Sequence, residues 1–165
     1  MDLGVAAAAA VHVLVERRQT LASAESLTGG LIAATIVEIP GVSSVYRGGL
    51  VVYATDLKHT LAGVPERLLE ERGAVDADVA RALATGTRER CAADWAVATT
   101  GVAGPEPQDG KPVGLVYVAV AGPHGATVRE LNLTGSRAAI RTGSANAVLE
   151  LLADELRSAP AGMNS

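Results

Sequence analysis

Apolar positions along this chain keep two rhythms. Behind an alanine run, Val11, Leu14 and Val15 recur at helical spacing, and Arg17 and Arg18 suit a last turn, where cations meet the negative end of the dipole. This predicts a helix over 3–18. Thr20 to Glu25 is short and apolar, as a buried strand is, and runs straight into Ser26-Leu27-Thr28-Gly29-Gly30. Leu31 to Ile39 is a second helix, stopped by Pro40-Gly41. Gly48 to Ala54 holds the continuous run Leu50, Val51, Val52, Tyr53 expected of a strand covered on both faces. Asp56 to Ala62 and Pro65 to Arg72 are short helical stretches, each closed by a glycine, Gly63 and Gly73. Asp76 is placed to cap a helix from Ala77 to about Cys91 whose apolar face carries Val79, Leu83 and Ala84.

Trp95 to Thr99 reads as a further buried strand, and Thr100 to Gly114 as a long Gly/Pro loop. Leu115 to Ala121 and Ala126 to Leu133 form a hairpin about the Gly122-Pro123-His124-Gly125 turn. Ser136 to Arg157 is a closing helix, and residues 158–165 are expected to be a frayed tail. Strands alternating with helices, then a hairpin and a helix, predict a three-layer α/β/α sandwich. Its mixed, mostly parallel sheet should have about five strands. A chain of 165 residues fits one core, so residues 1–157 are expected to form a single domain.

Composition narrows the function classes. With no Phe, one Trp and three Tyr, the core must be built from Ala, Val, Leu and Ile, and platforms for stacking bases are lacking. The net charge of −4 gives no basic footprint for a nucleic acid. One cysteine, Cys91, excludes an internal disulfide and a thiolate zinc site, and a reducing cytoplasmic location is expected. The apolar opening from Leu3 to Val11 has Asp2 where a secretion signal has positive charge, and is too short to span a bilayer. His12, His59 and His124 have no neighbours that complete a ligand set, and glycine patterns of the Walker or Rossmann type are absent. No metal, cofactor or membrane partner is therefore expected.

Right-handed crossovers make the strands at Thr20, Gly48 and Trp95 parallel, so their C-terminal ends share the sheet edge at which open α/β sheets bind ligands. That edge receives Ser26 to Gly30, then Tyr53 and Lys58, then Thr100-Gly101-Val102-Ala103-Gly104-Pro105. An antiparallel hairpin would bring Thr134, Ser136, Arg137 and Arg141 to the same place. Each feature alone has a plainer reading: Ser26 as a helix cap, Lys58 as a solvated lysine, and the arginines as partners of Glu130 or Glu150. Glu25 is expected to orient Lys58 or to cap backbone donors. The convergence of a nucleophile, a base and Gly-rich backbone donors on one edge favours a site.

Ala24-Glu25-Ser26-Leu27-Thr28-Gly29-Gly30, Tyr46-Arg47-Gly48-Gly49, Tyr53 to Lys58, Gly73-Ala74-Val75, Thr100 to Pro105 and Lys111-Pro112-Val113-Gly114 together resemble the CinA C-terminal domain family, with its PncC-like enzymes. The likeness runs from about Ala6 to Leu156, with the motifs in order and at family spacing. It implies hydrolysis of nicotinamide mononucleotide to nicotinic acid mononucleotide and ammonia, a step of pyridine nucleotide salvage. By the same resemblance Ser26 attacks the carboxamide carbon, Lys58 takes and returns its proton, and Tyr53 hydrogen-bonds the pair. The helix start at Thr28, Gly29 and Gly30 is expected to bind the oxyanion or the phosphate, with Thr100 and Gly101 as the second oxyanion candidates. Arg141, with Arg137, is expected to hold the 5′-phosphate. A small-molecule nucleotide and self-association into a homo-oligomer are the expected partners. Two departures stand out: Leu27 occupies a position where the family usually has Cys, and the loop Glu106-Pro107-Gln108-Asp109-Gly110 is poorer in glycine. Two alternatives stay open, a non-catalytic nucleotide-binding module and an amidohydrolase for a different small amide. Retention of both Ser26 and Lys58 argues against the first.

Overall fold

The computed structural model describes residues 2–160 and is an α/β/α sandwich. In chain order its elements are α1 (Leu3–Arg17), β1 (Leu21–Glu25), α2 (Leu31–Val37), a 3-10 turn (Val42–Ser44), β2 (Tyr46–Val51), α3 (Thr55–Thr60) and α4 (Glu66–Arg72). Then come α5 (Ala77–Arg90), β3 (Trp95–Gly101), β4 (Leu115–Gly122), β5 (Gly125–Asn132) and α6 (Arg137–Ser158). The five strands lie in the order β2-β1-β3-β4-β5. β1 is parallel to both β2 and β3, while β4 is antiparallel to β3 and to β5. Four of the five strands therefore point the same way and end on one edge. α6 continues through Ser158, and residues 161–165 of the expected tail lie outside the described residues.

The two sheet faces divide large from small side chains. Leu21, Trp95, Val97, Val116, Val118 and Val120 pack against α1 and α6 through Ala7, Val11, Leu14, Ile140, Leu149 and Leu152. The other face offers Ala24, Ala98, Ala119 and Ala121 to Val79, Ala80, Leu83 and Ala84 of α5. Alanine on the strands lets α5 lie close, and small residues also seat its outer side: a Cβ on Gly86 would stand 1.9 Å from the Ala62 carbonyl oxygen. A core without Phe thus gains its density from close approach rather than from bulk.

The β2 strand departs from expectation. It begins at Tyr46 and ends at Val51, and its residues alternate between half-buried and exposed, with Val51 50% exposed. The reason is position: β2 is an edge strand, and α5 packs across β1, β3, β4 and β5 while the main helix beside β2 is α2. One face of β2 is therefore open, and an apolar run alone cannot tell such an edge from an interior strand. Val52, just past the strand, is fully buried. Among the described residues no helix is long and apolar enough to cross a membrane.

Asp76 caps α5 as expected, its carboxylate accepting from the backbone N–H groups of Asp78 at 2.8 Å and Val79 at 3.3 Å. Removing this cap in Asp76→Ala should lower stability by about 1 kcal/mol in urea unfolding. A loss within experimental error would mean that water replaces the cap at no cost.

Candidate active site

The segment after β1 is held at both ends before any side chain reaches the cleft. The Ser26 N–H donates to the Thr99 carbonyl (3.2 Å), and the Gly29 N–H donates back to the Ser26 carbonyl (3.1 Å), closing a tight turn. Glu25, 1% exposed, turns its carboxylate to the start of α2, accepting from the N–H groups of Ile32 (2.8 Å) and Ala33 (3.1 Å). A buried carboxylate is tolerable there because orphan donors and the positive helix end compensate it. Of its two expected roles, Glu25 takes the capping one. The Thr28 hydroxyl is paired with that of Thr99 at 2.9 Å, inside the protein.

Lys58 on α3 is 1% exposed, and its Nζ donates to Ser26 Oγ (3.0 Å), Val52 O (2.8 Å) and Tyr53 O (3.2 Å). The Val52 N–H in turn donates to the Glu25 carbonyl at 2.9 Å, so the strand end that presents Ser26 and the turn that receives Lys58 are tied together. Burial disfavours the ammonium and pulls the Lys58 pKa from 10.5 down to about 8. The nucleophile type and the base type thus stand in hydrogen-bond contact.

Around this pair lies a small cleft, lined among others by Tyr53, Val75, Gly101, Glu106, Gln108 and Arg137. Thr100 lines it too, but its hydroxyl is engaged with the Ala74 carbonyl at 2.7 Å. Gly101 is a glycine for steric reasons: a Cβ there would stand 2.6 Å from Val116 Cγ2 and 2.8 Å from the Leu115 carbonyl oxygen. Its N–H faces the β1 side, since the Val102 N–H faces β4 (to Leu115 O, 3.0 Å) and successive residues alternate. A wider groove between Trp95, the β4–β5 turn and the end of α6 carries His124, Thr127, Glu155 and Ser158, and the Ser158 hydroxyl donates to the Asp154 carbonyl at 3.0 Å. Among the described residues no group of three or more His, Cys, Asp or Glu is placed to hold a metal ion.

The cleft brings together Ser26, Lys58, Tyr53, Thr100, Gly101 and Arg137 of the expected set, whereas Thr28, Gly29, Gly30 and Arg141 do not line it. Tyr53 meets Lys58 through its carbonyl; its phenol, on a residue 61% exposed, accepts from Arg137 Nη2 at 3.2 Å instead of bonding the pair. Arg137 also donates to the Gly104 carbonyl, so it bridges the cleft mouth. Arg141 donates from Nε to Leu27 O (2.8 Å) and from Nη2 to Thr28 O (3.0 Å). Neither arginine takes Glu130 or Glu150. Ser136 caps α6, accepting from the Ala139 N–H at 3.1 Å. Val75, Glu106 and Gln108 also line the cleft, which their sequence does not announce. The only signal for them was membership in the Gly-Ala-Val and Gly/Pro segments, which does not say where a loop folds back.

The pattern of the CinA C-terminal domain matches residues 5–156. A CinA-like protein of Frankia casuarinae is 47% identical over 148 residues, covering 90% of this chain and 34% of that protein. A putative competence-damage inducible protein of Desulforamulus reducens is 45% identical over 140 residues, covering 85% of this chain and 34% of that protein. The chain thus spans about a third of the length of these relatives. Among solved structures, the competence/damage inducible protein CihA from Agrobacterium tumefaciens superposes with a TM-score of 0.90 at 35% identity, covering 95% of this chain and 96% of that one. A CinA superfamily protein from Klebsiella pneumoniae gives 0.92 at 26% identity, covering 96% and 100%.

The buried lysine leaves a signature in stability. In the unfolded chain Lys58 stays protonated up to about 10.5, but in the folded protein only up to about 8, a gap worth about 3 kcal/mol. Protonation therefore opposes folding fully below pH 8, and the penalty fades as pH rises to 10.5. Lys58→Met has no such term, so its stability relative to wild type should fall by about 3 kcal/mol between pH 7 and 10.5. A difference between the two proteins that does not vary with pH in urea unfolding would show that the lysine is solvated.

Proposed function

The chain belongs to the CinA C-terminal domain family, and on that premise we propose that it hydrolyses the carboxamide of nicotinamide mononucleotide to nicotinic acid mononucleotide and ammonia. The observation that carries this reading is the 3.0 Å contact between Ser26 Oγ and a buried Lys58 whose pKa is about 8. A serine hydroxyl is a poor nucleophile unless a base takes its proton. With the pKa at about 8, about a tenth of the lysines carry a free amine at pH 7, against fewer than about one in a thousand for a solvated lysine.

In this mechanism Ser26 Oγ attacks the carboxamide carbon while its proton passes to Lys58 Nζ. The tetrahedral intermediate collapses as Lys58 gives that proton to the departing nitrogen, releasing ammonia and leaving an ester on Ser26. Water then attacks the ester carbon, losing a proton to Lys58. Collapse frees the nicotinate carboxyl, and the proton returns to Ser26. The carbonyls of Val52 and Tyr53 aim Nζ at Ser26. For the developing oxyanion the Gly101 N–H is favoured, since β1 has ended at Glu25 and the next carbonyl on that side, of Ser26, is taken by Gly29. The start of α2 is less suited, because Glu25 already occupies its donors. The 5′-phosphate is assigned to Arg137, whose guanidinium spans the cleft mouth between Tyr53 and Gly104.

Ser26→Ala should abolish ammonia release from nicotinamide mononucleotide while leaving nucleotide binding by calorimetry intact; turnover near the wild-type rate would reduce Ser26 to a structural residue. The wild-type kcat/KM should fall tenfold per pH unit below about 8 and level off above it, because the active form is the free amine. Lys58→Arg, which cannot give up its proton in this range, should be as inactive as Lys58→Met. A flat profile, or an active Arg variant, would make Lys58 a fixed charge.

Arg137→Ala should raise KM for the nucleotide by about 10- to 100-fold, as loss of a charged hydrogen bond does, and leave the phosphate-free riboside unaffected. Equal effects on both substrates would move the phosphate site elsewhere.

A further inference from the structure

Arg141 reaches the serine loop without lining the cleft. It lies in the first turns of α6, far from Ser26 in sequence, yet two of its donors are spent on consecutive carbonyls of the loop, Leu27 O at 2.8 Å and Thr28 O at 3.0 Å. Two carbonyls held in one planar fork fix the planes of both peptides, Leu27–Thr28 and Thr28–Gly29, because each peptide unit is rigid. The second peptide carries the Gly29 N–H that closes onto the Ser26 carbonyl. Contact extends to the glycine itself: a Cβ on Gly29, whose φ is +57°, would lie 3.4 Å from Arg141 Nη2. Glu25 anchors the far end of the same segment through Ile32 and Ala33.

We propose that Arg141 is a positioning residue: it clamps the loop from Ser26 to Gly29 so that Ser26 Oγ stays within hydrogen-bond reach of Lys58, and it takes no part in holding substrate phosphate. Its kinetic consequence rests on the amidase reading, while its structural consequence does not. In catalysis, a small displacement of the nucleophile costs about 10²-fold in rate. Arg141→Ala should therefore lower kcat by about 10²-fold on both nicotinamide mononucleotide and its riboside with KM little changed. Millimolar guanidinium should restore part of the loss. Arg141→Lys, which keeps the charge but lacks the fork, should recover little. Independently of any substrate, amide hydrogen exchange at Gly29 should quicken in both variants while the β3–β4 ladder keeps its protection.

A selective rise in KM for the nucleotide, with Gly29 exchange unchanged, would overturn the proposal and return Arg141 to the phosphate. Unchanged kinetics and unchanged exchange would overturn it as well. If the alanine variant does not fold, the exchange and kinetics of the lysine variant decide alone. Should wild-type protein fail to hydrolyse either substrate, the amidase reading falls, and the exchange measurement still judges the clamp.

Discussion

Everything in the cleft depends on a lysine taken out of water. Lys58 is 1% exposed and, among the described residues, has no carboxylate partner; Ser26 Oγ and the carbonyls of Val52 and Tyr53 receive its donors. A carboxylate there would favour the ammonium form, whereas neutral acceptors orient the side chain and leave burial to depress its pKa. The acid next to Ser26 in sequence, Glu25, is turned onto the start of α2. Backbone thus holds both side chains, N–H groups the Glu25 carboxylate and carbonyls the Lys58 Nζ that also reaches Ser26 Oγ.

The fold makes this arrangement possible by its distribution of volume. Valine and leucine fill the face under α1 and α6, and alanine lines the face under α5. Because β2 is an edge strand that stops at Val51, the chain can turn inward at Val52 and out again at Tyr53, and α3 then drives Lys58 back under the end of β1. The Val52 N–H bond to the Glu25 carbonyl registers that turn against the serine. A strand continuing further would have carried Lys58 past the site.

The two arginines at the start of α6 divide the work by geometry. One helical turn apart, they face different surroundings: Arg137 meets Tyr53 and Gly104 at the open mouth, and Arg141 meets the carbonyls behind the serine. The same side-chain chemistry bridges the exposed cleft mouth in one case and braces backbone carbonyls in the other.

Periodicity and punctuation in the sequence by themselves determined the layers, the hairpin, the Asp76 cap and the sheet edge at which Ser26, Tyr53, Lys58, Thr100 and Gly101 gather. These follow from local spacing and from the handedness of crossovers, which need no knowledge of distant contacts. Only the tertiary structure decided that β2 lies at an edge with one open face, that the Tyr53 phenol turns to Arg137, that Glu25 caps α2, and that Glu106 and Gln108 fold back over the cleft. Each of these is a choice of partner between segments tens of residues apart. Hydrogen-bond geometry selects among such partners at the scale of an ångström, finer than any sequence pattern records.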